Sequence, residues 1–279
     1  MIITGFSLFL IAILGGLIIE LLGKKAINHL SLILAFGGAY IIGLLFLHLV
    51  PEAFSYDGKI AGFFVLIGFL VQILLEYISK GLEHGHAHSA GQCGEHHHAP
   101  VFPWVAFASL CVHALLESMP LAEGAAHSTD HVLTMGPKMV EHAHMHIYNA
   151  KAMSSGLFVG LALHKLPVAM VLMGLISSTK SSVFVRWGMI CIFGLMPILG
   201  MLAYDGIIHS SIDIPGGNIA FMAATHGLVI GILLHISTTI LFESEEGHTF
   251  NIKKLIAILL GLVVACLTLS KIASFIFYH

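Results

Sequence analysis

Two apolar stretches carry polar side chains that lipid would reject: Cys111-Val112-His113-Ala114-Leu115-Leu116-Glu117-Ser118 and Leu163-His164-Lys165-Leu166-Pro167. On a helix, His113 and Glu117 lie one turn apart and share a face. An imidazole and a carboxylate stacked in that way supply half of a divalent-metal site. His164, on the next apolar stretch, is the natural third ligand. Ionisable side chains at membrane depth cost roughly 2.5–3.5 kcal/mol each on insertion scales, so they usually mark a pathway or a site. A His/Glu/His set mixes nitrogen and oxygen donors, which suits Zn²⁺ and tolerates Fe²⁺, Mn²⁺, Co²⁺ or Cd²⁺. Three protein ligands leave a position open for water, as an ion that must leave again requires.

The neighbouring residues extend the pattern. His48-Leu49-Val50-Pro51-Glu52-Ala53 repeats the histidine and glutamate one turn apart, at the outer end of the second apolar stretch. There His48 and Glu52 read either as an entry site for the hydrated ion or as an interfacial cap. Lys165 follows a ligand directly. It either replaces a second cation and balances the carboxylates, or pairs with a buried carboxylate such as Glu76, or reaches toward the interface. Ala114 holds the matching position after His113 and offers no ligand atom, so one metal site fits these residues better than two. Pro167 frees a backbone carbonyl beside His164 and is expected to kink the helix there.

The elements that must position these groups are membrane helices. The chain is 57% hydrophobic and only 10% charged, whereas soluble domains run near 45–50% and about 25%, so a soluble domain is excluded. Spans of about 20 apolar residues are expected at 2–23, 31–52, 60–80, 102–124, 152–177, 183–208, 218–242 and 253–277 of the 279 residues. The apolar start Met1-Ile2-Ile3 lacks a basic segment and a cleavage site, so it is expected to open the first membrane helix. Glycines at Gly156/Gly160 and Gly227/Gly231 have the spacing that lets helix backbones approach closely. The four cysteines show no paired spacing and imply no disulfide framework.

Lysine and arginine set the orientation. With an outer N-terminus, the inner loops hold Lys24, Lys25, Lys80, Lys180, Arg186, Lys253 and Lys254, against Lys59, Lys138, Lys151 and Lys271 outside. Both termini are therefore expected on the extracytoplasmic side of the cell (inner or plasma) membrane. Net charge is only −3 without a basic cluster, so no nucleic-acid partner is expected. Histidine-rich loops are expected at about 83–101, facing the cytoplasm, and about 125–151, facing outside. The first gathers His84, His86, His88, His96, His97 and His98 within fifteen residues, which suits loose, multi-site metal binding.

Taken together, these motifs resemble the ZIP family of divalent metal transporters (zinc/iron-regulated permease-like proteins). The resemblance rests on His48-Leu-Val-Pro-Glu-Ala53 ending span two, His113-x-x-x-Glu117 in span four and His164-Lys165-x-Pro167 in span five. It covers nearly the whole chain. It implies an all-α integral membrane domain over 1–279, with an inverted repeat of helices 1–3 and 6–8 around helices 4 and 5. It also implies alternating access toward the cytoplasm. Many members carry His-Asn-x-Pro-Glu-Gly in span four and a similar element in span five, giving two metals. Here Ala114, Ser118, Lys165 and Val168 stand at those positions, so the resemblance is to a single-metal branch with a lysine. The metal is then cargo rather than cofactor, the bilayer is the medium, and a homodimer is an assembly such a fold allows. A competing reading from another class is an intramembrane zinc hydrolase of lipid amides, which needs a metal-activated water and a general base. The chain has no His-Glu-x-x-His for that role. A cation exporter is a third reading, but those show paired His-x-x-x-Asp motifs on six spans followed by a soluble domain, whereas this chain ends in an apolar stretch.

Overall fold

The computed structural model describes residues 2–23, 30–79, 104–122, 137–179, 181–210, 215–242 and 252–277. Side chains are described for these apart from 79, 137–155, 242 and 269–277. The histidine tract at 83–101, with His84, His86, His88, His96, His97 and His98, lies outside the described residues, as do Cys93, Glu123 and the acidic run at 243–246.

The described residues form helices and their turns, with no strand among them. In chain order the helices are α1 (Ile2–Leu22), α2 (Leu30–Leu44), α3 (Val50–Ser79), α4 (Trp104–Glu117), α5 (Pro137–Ser178), α6 (Val183–Ile208), α7 (Gly217–Phe242) and α8 (Ile252–Phe277). Six helical stretches among the described residues are long and apolar enough to cross a membrane: Ile2–Leu22, Leu30–Ile78, Trp104–Ala122, Gly156–Ser178, Val183–Ile208 and Gly217–Leu241. This is the make-up of a multi-pass membrane protein. Its outer faces agree, since Phe6, Leu10, Leu14, Phe63, Leu66 and Leu70 all stand exposed, as lipid-facing side chains must.

The local irregularities of these helices have identifiable causes. Between α2 and α3 the chain widens into one π turn, Leu45–Leu49, in which the Val50 N–H donates to the Leu45 carbonyl. Pro51 has no N–H, and its ring crowds the carbonyl four residues back. The widened turn absorbs that conflict, and His48 sits on it. The helix α3 is interrupted by a kink at Asp57, whose backbone is extended (φ −156°, ψ 107°), in the interval expected between spans two and three. Its carboxylate accepts from the N–H groups of Lys59 (2.9 Å) and Ile60 (3.0 Å), capping the helix that follows.

Span four, expected as one helix over 102–124, is helical only to Glu117. Ser118 turns and Met119–Ala122 continue as a 3₁₀ segment, because Pro120 removes a donor and disfavours helix in the residue before it. Glu117 thus ends α4. Span five starts earlier than expected. Residues 137–151, assigned from their histidines to an outer loop, belong to α5. Pro137 occupies the first helical position, which it favours. The helix also runs unbroken through Pro167.

The heaviest packing falls in two sets, joined by α2 on α5 and α3 on α4. In one set, α1 packs on α5 and α6, and α6 packs on α4; in the other, α3 packs on α7, and α2 on α8 and α7. Glycine makes the closest approaches. A Cβ on Gly231 would run into the Val65 carbonyl and the Phe69 nitrogen of α3, and one on Gly261 into the Phe36 carbonyl of α2. Two apolar clusters fill the interior. On α5 the first includes Leu157 and Leu161, the second Val168 to Ile176. His164 and Lys165 fall between them, in a polar layer at the seam.

Candidate metal centre

The residues that break the apolar pattern of α4 and α5 meet in that layer. His113 and Glu117 are each 2% exposed, His164 5% and Lys165 1%, so water contributes almost nothing to their solvation. Each of His113, Glu117 and His164 offers a ligand atom, and these atoms lie within 4.8 Å of one another. It is the one such group of three among the described residues. His113 Nε2 is 3.0 Å from Glu117 Oε2. Two ligands on a tetrahedral zinc ion stand about 3.4 Å apart, given bonds of about 2.0–2.2 Å, so this pair need open by only a few tenths of an ångström to share an ion. The His113 and His164 rings are 5.8 Å apart and nearly perpendicular, at 84°.

Hydrogen bonding favours the same conclusion. Neither nitrogen of His113 makes a hydrogen bond, and neither does Glu117 Oε2, despite its closeness to the imidazole. A buried polar atom left in that state costs about 1–3 kcal/mol. A cation that accepts a lone pair from one His113 nitrogen and one from Glu117 Oε2 would remove the penalty at those two atoms. The donor set therefore fits a borderline divalent ion chemically as well as geometrically.

The other carboxylate oxygen is engaged differently. Glu117 Oε1 accepts from Lys165 Nζ at 3.3 Å, and the same ammonium lies 4.5 Å from the ring centroid of Phe193 on α6. Of the alternatives open for Lys165, the pairing is with Glu117. Glu76 instead meets His235 Nε2 across α3 and α7 at 2.5 Å.

Close backbone packing fixes the two ligand-bearing helices. A Cβ on Gly200 of α6 would collide with the Leu115 carbonyl, two residues after His113. A Cβ on Gly15 of α1 would collide with the Leu166 carbonyl, two residues after His164. Both helices are held by a glycine at the same register relative to their histidine.

The second histidine–glutamate pair is not drawn into this centre. His48 is partly buried on the π turn, and its Nε2 makes no hydrogen bond. Glu52 accepts from the Tyr56 hydroxyl at 3.2 Å, and the Tyr56 ring meets the edge of His226, 5.5 Å away. His226 is fully buried and its Nδ1 is 2.9 Å from the Met222 carbonyl. That bond places the proton on Nδ1 and leaves the lone pair on Nε2. Sequence spacing puts His226 and His235 on opposite faces of α7, in keeping with their separate partners. At the other end of the bundle, Arg186 on α6 binds Glu20 on α1 at 2.7 Å.

Sequence reasoning did not find the Glu76–His235 pair or the contact of Phe193 with Lys165. The first had a signal in two isolated polar residues in apolar stretches. The second had none, because a phenylalanine in a membrane helix is ordinary. Compared with protein-family models and with curated proteins, the sequence finds no match.

Proposed function

We propose that the protein carries divalent transition-metal cations, chiefly Zn²⁺, across the cell membrane toward the cytoplasm by alternating access, in the manner of the ZIP family. The observation that carries this reading is the buried His113/Glu117/His164 group, whose ligand atoms lie close enough together to share one ion and in which the His113 nitrogens and Glu117 Oε2 make no hydrogen bond. Fe²⁺, Mn²⁺ and Cd²⁺ are the other ions such a set admits. Incoming ions meet His48 and Glu52 first, pass to the central group, and leave toward the histidine tract at 84–98.

Charge explains why a carrier suits the site better than a resident metal. Before an ion binds, Glu117 and Lys165 together are neutral. After it binds, the buried layer carries the ion's two charges uncompensated, which a low-dielectric interior resists. Binding is held weak enough for release. Lys165 thereby takes the place a second metal would occupy. A hydrolase needs the reverse, a retained metal and a free general base, and here the neighbouring carboxylate is bound to an ammonium.

Alternating access also needs an internal repeat, and the packing supports one. Exchanging α1 with α6, α2 with α7, α3 with α8 and α4 with α5 converts each major packing pair into another: α1–α5 into α6–α4, and α3–α7 into α8–α2. The glycine contacts obey the same exchange, Gly15 against Leu166 matching Gly200 against Leu115. The continuous stretch Leu30–Ile78 has 49 residues, about 74 Å at 1.5 Å each, over twice the ~30 Å hydrocarbon core. With its break at Asp57 it supports two crossings, and α8 supplies the last of eight. All four central residues belong to the group α1, α4, α5 and α6. The ion then travels with that group as it moves against the other. Uptake of labelled Zn²⁺ by cells producing the protein tests the reading. Uptake that His164→Ala removes supports it; tight metal retention with lipid-amide hydrolysis and no uptake favours the hydrolase.

A further inference from the structure

The two oxygens of Glu117 have separate tasks. Oε2 faces His113 Nε2 at 3.0 Å, on the side where the ligand atoms converge. Oε1 is taken by Lys165 Nζ at 3.3 Å, and Phe193 backs that ammonium with its ring face at 4.5 Å. Lys165 and Phe193 are both 1% exposed, so the ammonium has no access to water, and its position is set by these two partners. A desolvated cation over an aromatic face is held more firmly than one at a surface.

From this arrangement we propose that Phe193 is a specificity-determining positioning residue: by fixing Lys165 on Oε1 it makes Glu117 a one-oxygen ligand. This inference rests on the metal-site reading above. With Oε1 committed, the carboxylate cannot swing both oxygens onto the ion. The site then offers two imidazole nitrogens and one oxygen, a three-ligand set that suits four-coordinate Zn²⁺ once a water completes it. Mn²⁺ favours six-coordinate, oxygen-rich surroundings and gains most from a second carboxylate oxygen. The pair Lys165 and Phe193 therefore discriminates against Mn²⁺ without touching the ion.

The internal correspondence isolates these two residues. Phe193 precedes Gly200 by seven positions, and the residue seven before Gly15 is Leu8. Lys165 follows His164 as Ala114 follows His113. At the corresponding place the chain thus has an alanine and a leucine. The aromatic ring appears where the ammonium does.

The test uses the full-length protein in detergent, titrated with Zn²⁺ and with Mn²⁺ against a competing chelator dye. The variants are Phe193→Leu, Lys165→Met, the double variant and His113→Ala. Phe193→Leu keeps an apolar side chain and removes the ring face. The inference expects the wild-type preference for Zn²⁺ over Mn²⁺ to fall about tenfold in Phe193→Leu, the size of one desolvated cation–π contact. It should fall at least as far in Lys165→Met, and the leucine should add nothing in the methionine background. Bound Co²⁺ should change in step, its intense four-coordinate visible bands weakening in both single variants. A preference within twofold of wild type in Phe193→Leu overturns the inference, as does an equal effect of the leucine in both backgrounds. If Phe193→Leu does not fold, Lys165→Met decides alone, by the same preference and the same Co²⁺ bands. Zn²⁺ binding that His113→Ala leaves unchanged would instead remove the metal-site reading beneath it, a distinct failure.

Discussion

Alanine at Glu117 should do far more than remove a metal ligand, because the side chain it deletes is the counter-charge of a buried lysine. Lys165 is 1% exposed and its Nζ is 3.3 Å from Glu117 Oε1. At an effective dielectric constant of about 20, two unit charges at that separation attract by about 5 kcal/mol. Removing one partner of a buried pair typically costs about 3–5 kcal/mol, since the other is left uncompensated. Glu117→Ala should therefore lower stability by about that much. The double variant Glu117→Ala/Lys165→Met removes the orphaned charge and should recover most of the loss. Titrating the detergent-solubilised protein with SDS, with folded fraction read by tryptophan fluorescence, measures both. A Glu117→Ala protein within about 1 kcal/mol of wild type would show that Glu117 is not the counter-charge Lys165 depends on, as would a double variant no more stable than the single one. A loss of flux in Glu117→Ala alone would thus mix two effects. His113→Ala and His164→Ala are the cleaner site variants.

Other consequences follow from the close helix approaches and from the loops. Gly231→Ala sets a Cβ against the Val65 carbonyl and should cost about 1–3 kcal/mol as α3 and α7 separate. Gly174→Ala, with nothing within 4 Å of its Cβ, should be neutral or gain up to about 1 kcal/mol in the same SDS titration. Gly200→Ala presses on the Leu115 carbonyl and the Ser118 hydroxyl and should shift α4, weakening Zn²⁺ binding by chelator competition; Gly188→Ala on the same helix, with open space, should not. Deleting residues 84–98 should change apparent affinity or regulation in an uptake assay but leave transport measurable, and complete loss would make that tract part of the ion path.

Much of the centre was legible because it depends on one period. His113 and Glu117 share a face on any helix, and their burial follows from the apolar residues around them. His164 could be added because polar residues in adjacent membrane helices tend to meet. Partner choice was less legible. Whether Lys165 meets Glu117 or Glu76 depends on which helix flanks α5, and hydropathy does not encode neighbours. Phe193 acquires its role solely from the cation it faces. Some local structure had readable signals that the apolar average hid: Asp57 before Gly58 and Lys59 as a helix cap, and Pro120 as the end of α4. The helix over 137–151 was obscured by its histidines, whose composition suggests a metal-binding loop while Pro137, Met139, Glu141 and Ala143 suit a helix.

Zn²⁺ entry into proteoliposomes that contain the purified protein and a trapped fluorescent indicator, with wild type compared to His113→Ala, tests both the transport and its site. Wild type should show saturable Zn²⁺ entry, and the variant none above empty liposomes. Equal entry in both would contradict the assignment of the site, and no entry of Zn²⁺, Fe²⁺, Mn²⁺ or Cd²⁺ in wild type would contradict the assignment of transport.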